Sequence, residues 1–201
     1  MKSLLKFAAC SLLAGTWVLL WVKPGPARFQ RHGASHEERL ARGAHLVRAG
    51  ACGDCHTPKI MTARGLVDDE SRLFAGHPSE VEALPSAPAS RPGGQAVAGT
   101  TAWAGPWGIS YAANLTPDPA TGLWSEDSFI KAMRTGKRRG HGRAILPPMP
   151  WEPLSQATDE DLKSIYAYLA SLPPVFNSVP EPVAPPASAA AADREEMGGT
   201  F

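Results

Sequence analysis

The chain has 201 residues, room for one domain with flanking segments. A formal net charge of +1 gives no basis for nucleic-acid binding and none for strong attraction to an acidic partner. Twenty prolines and nineteen glycines, concentrated outside the helical stretches, point to a small helical core wrapped by long irregular loops.

Lys2 and Lys6 precede Phe7 to Val22, a run without a charge that ends at Lys23-Pro24-Gly25-Pro26. As a helix the run would span about 24 Å, short of the ~30 Å hydrocarbon core of a bilayer. Lys6 and Lys23 can snorkel, however, and Trp17 and Trp21 suit an interface. An uncleaved membrane anchor is therefore expected. The alternative is a cleaved signal peptide, for which Gly25-Pro26-Ala27 is a weak site flanked by unfavourable prolines. Cys10 precedes most of the apolar run and reads as lipid-facing. Either reading carries the rest of the chain out of the cytoplasm. Residues 1–34 are assigned to anchor or signal segment plus linker.

The first helix is predicted to start at Ser35, where Ser35-His36-Glu37-Glu38 has the form of a capping box. Leu40, Ala44 and Val47 recur at helical spacing as one buried stripe, and Gly43 would admit the close approach of another helix. The helix should end near Gly50 and deliver the chain to Cys52-Gly-Asp-Cys55-His56. That motif is C-x-x-C-H, the attachment signature of a covalent c-type haem. Two thiols separated by two residues on a helical turn can reach the two vinyl groups of one porphyrin. The adjacent imidazole then falls under the iron as proximal ligand. A structural zinc site needs four ligands, and no second Cys or His pair follows. A thioredoxin-like dithiol would follow a strand, whereas a helix is expected here. A disulfide across two residues would be strained and close almost no loop.

Residues 66–104 lack sustained periodicity and read as a long irregular excursion. A second helix is predicted after Ser125, with Glu126 and Asp127 in its first turn, Phe129, Ile130 and Met133 on its apolar face, and Gly136 as its stop. A third begins at Thr158, carries Leu162, Ile165, Tyr166, Leu169 and Leu172 as a core stripe, and is terminated by Pro173-Pro174. The first and third helices should cross near Gly43. No strand signal competes, so an all-α fold is expected. The domain runs over 35–180, and residues 181–201, rich in Pro and Ala, form a disordered tail.

Met149 sits in Ile145-Leu146-Pro147-Pro148-Met149-Pro150-Trp151. A thioether is a soft, neutral ligand that favours ferrous iron, and three prolines restrict how far it can swing. It is the candidate sixth ligand, with His56 as the fifth. Met133 reads as core, Met61 is too close to His56 to reach the opposite haem face, and His45, His77 and His141 read more simply as surface or loop residues. Lys137-Arg138-Arg139 reads as a solvated turn before it reads as a docking patch.

With these ligands placed, the chain resembles class I c-type cytochromes, and among them single-haem domains found as membrane-tethered proteins or as subunits of bacterial respiratory and dehydrogenase complexes. The resemblance covers about Ser35 to Pro180. It rests on the C-x-x-C-H motif, Ala113-Asn114-Leu115-Thr116-Pro117-Asp118, Thr121-Gly122, Arg134-Thr135-Gly136-Lys137, Leu146 to Trp151 and Ile165-Tyr166-Ala167-Tyr168-Leu169. It implies one haem c, thioether-bonded to Cys52 and Cys55 and ligated by His56 and Met149. Asn114 would hydrogen-bond near the haem or cap the turn that follows it. Trp103, Trp107, Tyr111, Trp124 and Trp151 would help cover the porphyrin. The implied function is electron transfer without substrate chemistry. Partners would be a dehydrogenase, a quinol-oxidising complex, an oxidase or another cytochrome. The place is the periplasmic side of a bacterial inner membrane, or the soluble periplasm if the leader is cleaved. The competing reading is a haem enzyme or sensor with an open sixth position, for which no distal acid–base residue is evident.

Overall fold

The computed structural model describes residues 34–82 and 94–185, all within the second of the two units into which the chain divides, 34–201. The expected anchor, with Cys10, Trp17 and Trp21, lies outside the described residues. Among the described residues no helix is long and apolar enough to cross a membrane.

Helix α1 spans His36–Ala49. Ser35 caps it through a complete capping box: its Oγ accepts from Glu38 N at 3.1 Å, and Glu38 Oε2 accepts from Ser35 N at 2.8 Å. Helix α3 (Glu126–Thr135) is capped by Ser125 and stopped by Gly136 in the left-handed conformation at φ 63°. Helix α5 (Asp159–Ala170) is capped by Thr158, whose Oγ1 accepts from Asp161 N at 3.1 Å. These helices bury the expected stripes in part: Leu40 and Ala44 of α1, and Ile130, Tyr166 and Leu172, are half-buried. Val47, Phe129, Ala132, Met133, Leu162, Ile165 and Leu169 form one core cluster. Helices α1 and α5 meet at Gly43, where an added Cβ would stand 1.9 Å from the Ser164 carbonyl oxygen. The absence of a side chain there is what lets the two backbones touch.

The expectation of an all-α fold is corrected. Among the described residues two short α-helices, α2 (Cys52–His56) and α4 (Trp151–Ser155), join the three long ones, and five short strands form two antiparallel sheets. Strands β1 (Lys59–Thr62) and β2 (Gly65–Asp68) make a hairpin with Ile60 opposite Val67 and Met61 opposite Leu66. Strands β3 (Gln95–Ala98), β4 (Ala102–Gly105) and β5 (Gly108–Tyr111) form a meander. Parts of the stretch read as irregular, 66–68, 95–98 and 102–104, are thus sheet. The reason is physical. A four-residue strand offers at most two periods of alternation, and Lys59-Ile-Met-Thr62 and Ala102-Trp-Ala-Gly105 do not alternate strictly. The hairpin turn at Ala63-Arg64 lacks the usual Asn-Gly or Asp-Gly pair, and Ala and Gly, with low strand preference, fill much of β3 to β5. The meander coheres through its own small core of Ala102, Ala104 and Ile109.

Residues 181–185, expected to belong to the tail, are among the described residues. Val183 pairs with Ile109 through two backbone hydrogen bonds, Ile109 N to Val183 O at 2.8 Å and Val183 N to Ile109 O at 3.0 Å. Residues 181–185 are therefore engaged with the domain, and residues 186–201 lie outside the described part.

Candidate functional site

Ala51, at φ 53° and ψ 30°, breaks α1 from α2. A left-handed alanine is uncommon and costs about 1–2 kcal/mol, a cost the surrounding packing has to offset. The turn it creates puts Cys52 and Cys55 three positions apart on one helical turn, so their side chains share a face. Both thiols are free and half-buried. Burial raises the pKa of each; for Cys52 the Cys55 and Asp54 charges add to this, and for Cys55 the Asp54 charge adds while Lys59 opposes. Lys59 reaches the Gly53 carbonyl at 3.5 Å and pairs with Asp68, tying the hairpin to α2.

His56 is buried and donates from Nδ1 to the carbonyl oxygen of Ala113 at 2.8 Å. Because a carbonyl only accepts, the ring proton is held on Nδ1, and Nε2 presents a lone pair. Burial lowers the His56 pKa, opposed by the bond to Ala113, so the ring is neutral near pH 7. A neutral imidazole with its second nitrogen fixed in this way is the state required of a metal ligand.

The Ala113 carbonyl is itself aimed by a short ladder between residues 74–77 and 112–115: Leu115 N to Phe74 O at 2.8 Å and His77 N to Ala112 O at 2.9 Å. Gly76, at φ 80°, also donates to His56 O at 2.8 Å, and a Cβ there would lie 2.6 Å from Ala112 O. Asn177 closes the ladder from the far end of the domain, its Nδ2 donating to Ala75 O at 2.6 Å and His77 O at 2.8 Å. Neither Gly76 nor Asn177 stood out in the sequence, because both act on backbone carbonyls that every residue carries.

Asn114 takes the capping role. Its Oδ1 accepts from Thr116 N at 2.9 Å and Thr116 Oγ1 at 2.8 Å, and its Nδ2 donates to Val175 O at 2.8 Å. Asp118 closes the next turn by accepting from Ala120 N, Thr121 N and Thr121 Oγ1.

Met149 is half-buried and packs against the same core cluster as Cys52, alongside Phe74, Leu115, Leu123, Trp124 and Ile145. The fold thus brings the Cys turn and the methionine segment to one apolar core. Met133 is buried within that core, and Met61 is 74 % exposed on β1. Of the alternative histidines, His45 and His141 are exposed. His77 lies in a loop, as one of its expected places, but is fully buried there, with Nε2 donating to Val81 O at 2.8 Å and Nδ1 facing Thr101 Oγ1 at 2.9 Å. Its ring also lies 4.8 Å from that of Tyr111, so it is spent on structure.

The expected aromatic cover divides. Trp124 packs on the core beneath the Arg138 and Arg139 guanidinium groups, at 5.6 Å and 5.9 Å from its ring. Trp151 lies over Gly136. Trp103, Trp107 and Tyr111 belong to the meander and its turn.

A Cys pair on one turn, a neutral histidine with a free Nε2 and a thioether on the shared core suit a covalently held haem: two carbon–sulfur bonds, one nitrogen and one sulfur ligand. Fold and site together define a cytochrome c domain. No protein-family model matches the chain. It is 32 % identical over 136 residues to the gluconate 2-dehydrogenase cytochrome c subunit of Pantoea cypripedii, covering 67 % of this chain and 23 % of that one. With the fructose dehydrogenase cytochrome subunit of Gluconobacter japonicus the identity is 30 % over 161 residues, covering 79 % and 25 %. With the cytochrome c subunit of the quinone-linked alcohol dehydrogenase of Gluconacetobacter polyoxogenes it is 30 % over 163 residues, covering 80 % and 25 %. The chain therefore spans a quarter or less of the length of these relatives. Over two thirds or more of its own length it is similar to part of the cytochrome c subunits of bacterial dehydrogenases, which supports the cytochrome c class.

Proposed function

We propose that this chain holds one haem c, bonded through Cys52 and Cys55 and ligated by His56 and Met149, and that it carries electrons away from a dehydrogenase without substrate chemistry of its own. Attachment would add each thiol S–H across a vinyl group, consuming no oxidant. The observation that carries the reading is the His56 Nδ1 bond to the Ala113 carbonyl, which reserves Nε2 for iron one residue beyond the Cys pair. Met149 supports it from the same apolar core. A neutral thioether raises the potential, and a closed six-coordinate iron exchanges electrons with little rearrangement. The names of the relatives favour a dehydrogenase as the electron source over a quinol-oxidising complex, and the acceptor would be a terminal oxidase or another cytochrome. The domain would face the periplasm, tethered by residues 1–34.

Mass analysis of the full chain made in a maturation-competent host should show one added porphyrin, located on the Cys52–Cys55 peptide. The oxidised protein should display the weak far-red band of thioether-to-ferric charge transfer, absent in Met149→Ala. A wild-type protein that lacks the band and binds carbon monoxide readily would transfer the assignment to a haem enzyme or sensor.

A further inference from the structure

The methionine segment is poor in hydrogen bonds. Pro147, Pro148 and Pro150 have no N–H to donate. Within 146–150 the one local bond is Trp151 N to Met149 O at 2.9 Å. Among the described residues a single hydrogen bond ties 146–150 to another part of the chain: the Ser110 hydroxyl donates to Pro147 O at 2.5 Å. Ser110 lies on β5, is 8 % exposed, and accepts from the Trp107 indole N–H at 3.3 Å. Trp107 is itself seated against glycines, since a Cβ at Gly94 or Gly105 would lie 2.6 Å or 2.5 Å from its ring. A line of contacts thus runs from the β4–β5 turn through Ser110 to the carbonyl two residues before the thioether. Prolines limit the internal shape of 146–150, but they do not stop the segment from moving as a body. That restraint falls to packing and to Ser110.

Strand β5 is in turn clamped from its open side. Val183 pairs with Ile109 beside Ser110, and at Gly108, φ 92°, a Cβ would stand 2.0 Å from Val183 O. Two residues earlier, Glu181 reaches Arg143 at 3.7 Å and Arg138 at 3.9 Å, both on the loop that leads from α3 into the methionine segment. These ion pairs are exposed and contribute little alone. The backbone pair is the stronger hold.

We infer that Ser110, braced by the strap at 181–183, is a positioning residue that keeps the Met149 sulfur in place. The inference rests on the ligation by Met149 proposed above. Without the hydroxyl, the Pro147 carbonyl loses its partner, and the closed arrangement of the segment is weakened by the worth of about one hydrogen bond. An added ligand that competes with the thioether, such as imidazole, should then bind ferric Ser110→Ala about three- to tenfold more tightly. The reduction potential of that variant should fall, because displacement of a thioether favours ferric iron. Ser110→Thr, which keeps the hydroxyl, should stay close to wild type on both measures. Val183→Pro, which deletes the N–H that pairs with Ile109 O, should shift imidazole affinity in the same direction by a smaller factor.

The experiment is imidazole titration of the ferric full-length holoproteins, followed through the far-red band, with potentials measured in parallel. Unchanged imidazole affinity in Ser110→Ala, even with a lowered melting temperature, overturns the positioning role. Equal loss in Ser110→Thr and Ser110→Ala shows that bulk rather than the hydroxyl matters, and overturns it as well. An effect in Ser110→Ala with none in Val183→Pro removes the strap and keeps Ser110. A wild type without the far-red band, with Met149→Ala spectrally silent, brings down the ligation itself, an outcome distinct from all of these.

Discussion

Gly43→Ala should be strongly destabilising although it improves the helix. In an exposed helix interior Gly to Ala gains about 1 kcal/mol. Here the new Cβ would lie 1.9 Å from Ser164 O and 2.7 Å from Tyr168 Cβ, where ordinary contact begins near 3.4 Å. The nearer atom is backbone, so no rotamer change relieves the clash. The two helices must part by roughly 1.5 Å at the crossing, and a gap of 0.5–1 Å already forfeits a quarter to a half of each dispersion contact. The contacts at risk are those of Val47, Leu162, Ile165 and Leu169, all buried in one cluster. Overpacking of this kind costs about 1–3 kcal/mol, and a backbone clash belongs at or above the upper end. After the propensity gain, about 2 kcal/mol or more of net loss remains. That corresponds to a fall in melting temperature of about 4–8 °C for a domain of this size. Thermal unfolding of the holoprotein, followed by far-UV circular dichroism, measures it. Ala41→Gly, at an exposed position of the same helix, supplies the propensity reference at about 1 kcal/mol. A Gly43→Ala protein that melts at or above wild type would refute the close-contact argument.

His77→Phe should cost about 2–4 kcal/mol, because the Val81 carbonyl and the Thr101 hydroxyl both lose a buried partner. Its haem spectrum should nevertheless match wild type; a changed axial-ligand spectrum would make His77 a ligand after all. Asp161→Asn tests the pH dependence. The Thr158 hydroxyl, helped by the Arg42 guanidinium, holds the Asp161 carboxyl below the usual carboxylate range. A carboxylate whose folded pKa is depressed stabilises the fold fully above its unfolded value of about 4, and that contribution fades as pH falls through the lower folded value. The melting-temperature gap between wild type and Asp161→Asn should therefore be open at pH 7, about 1 kcal/mol in size, and close in acid. A gap that persists at pH 2 would assign the effect to something other than charge.

Elements whose signals are local were legible. Ser35, Ser125 and Thr158 cap the helices they were expected to cap, because a capping side chain and the N–H it satisfies lie within one turn. The crossing at Gly43 followed from one missing side chain on a buried stripe. The Cys turn was legible as a motif because attachment chemistry demands that spacing. The strands were not, since a run such as Lys59-Ile-Met-Thr62 becomes a strand only when Gly65-Leu-Val-Asp68 lies beside it. His77 looked like a loop residue; its burial depends on Thr101, Val81 and Tyr111 arriving around it.

The amino-acid sequence by itself determined where the long helices begin and much of what they bury, and it singled out the four side chains proposed to hold a haem. Tertiary structure alone decided that Ala113 aims the His56 ring, that Asn177 fastens the ladder behind it, and that Ser110 meets the methionine segment through Pro147. The physical reason is common to all three. Each acts on a backbone carbonyl, a group identical at every position, so its choice of partner is set only by where the folded chain puts it.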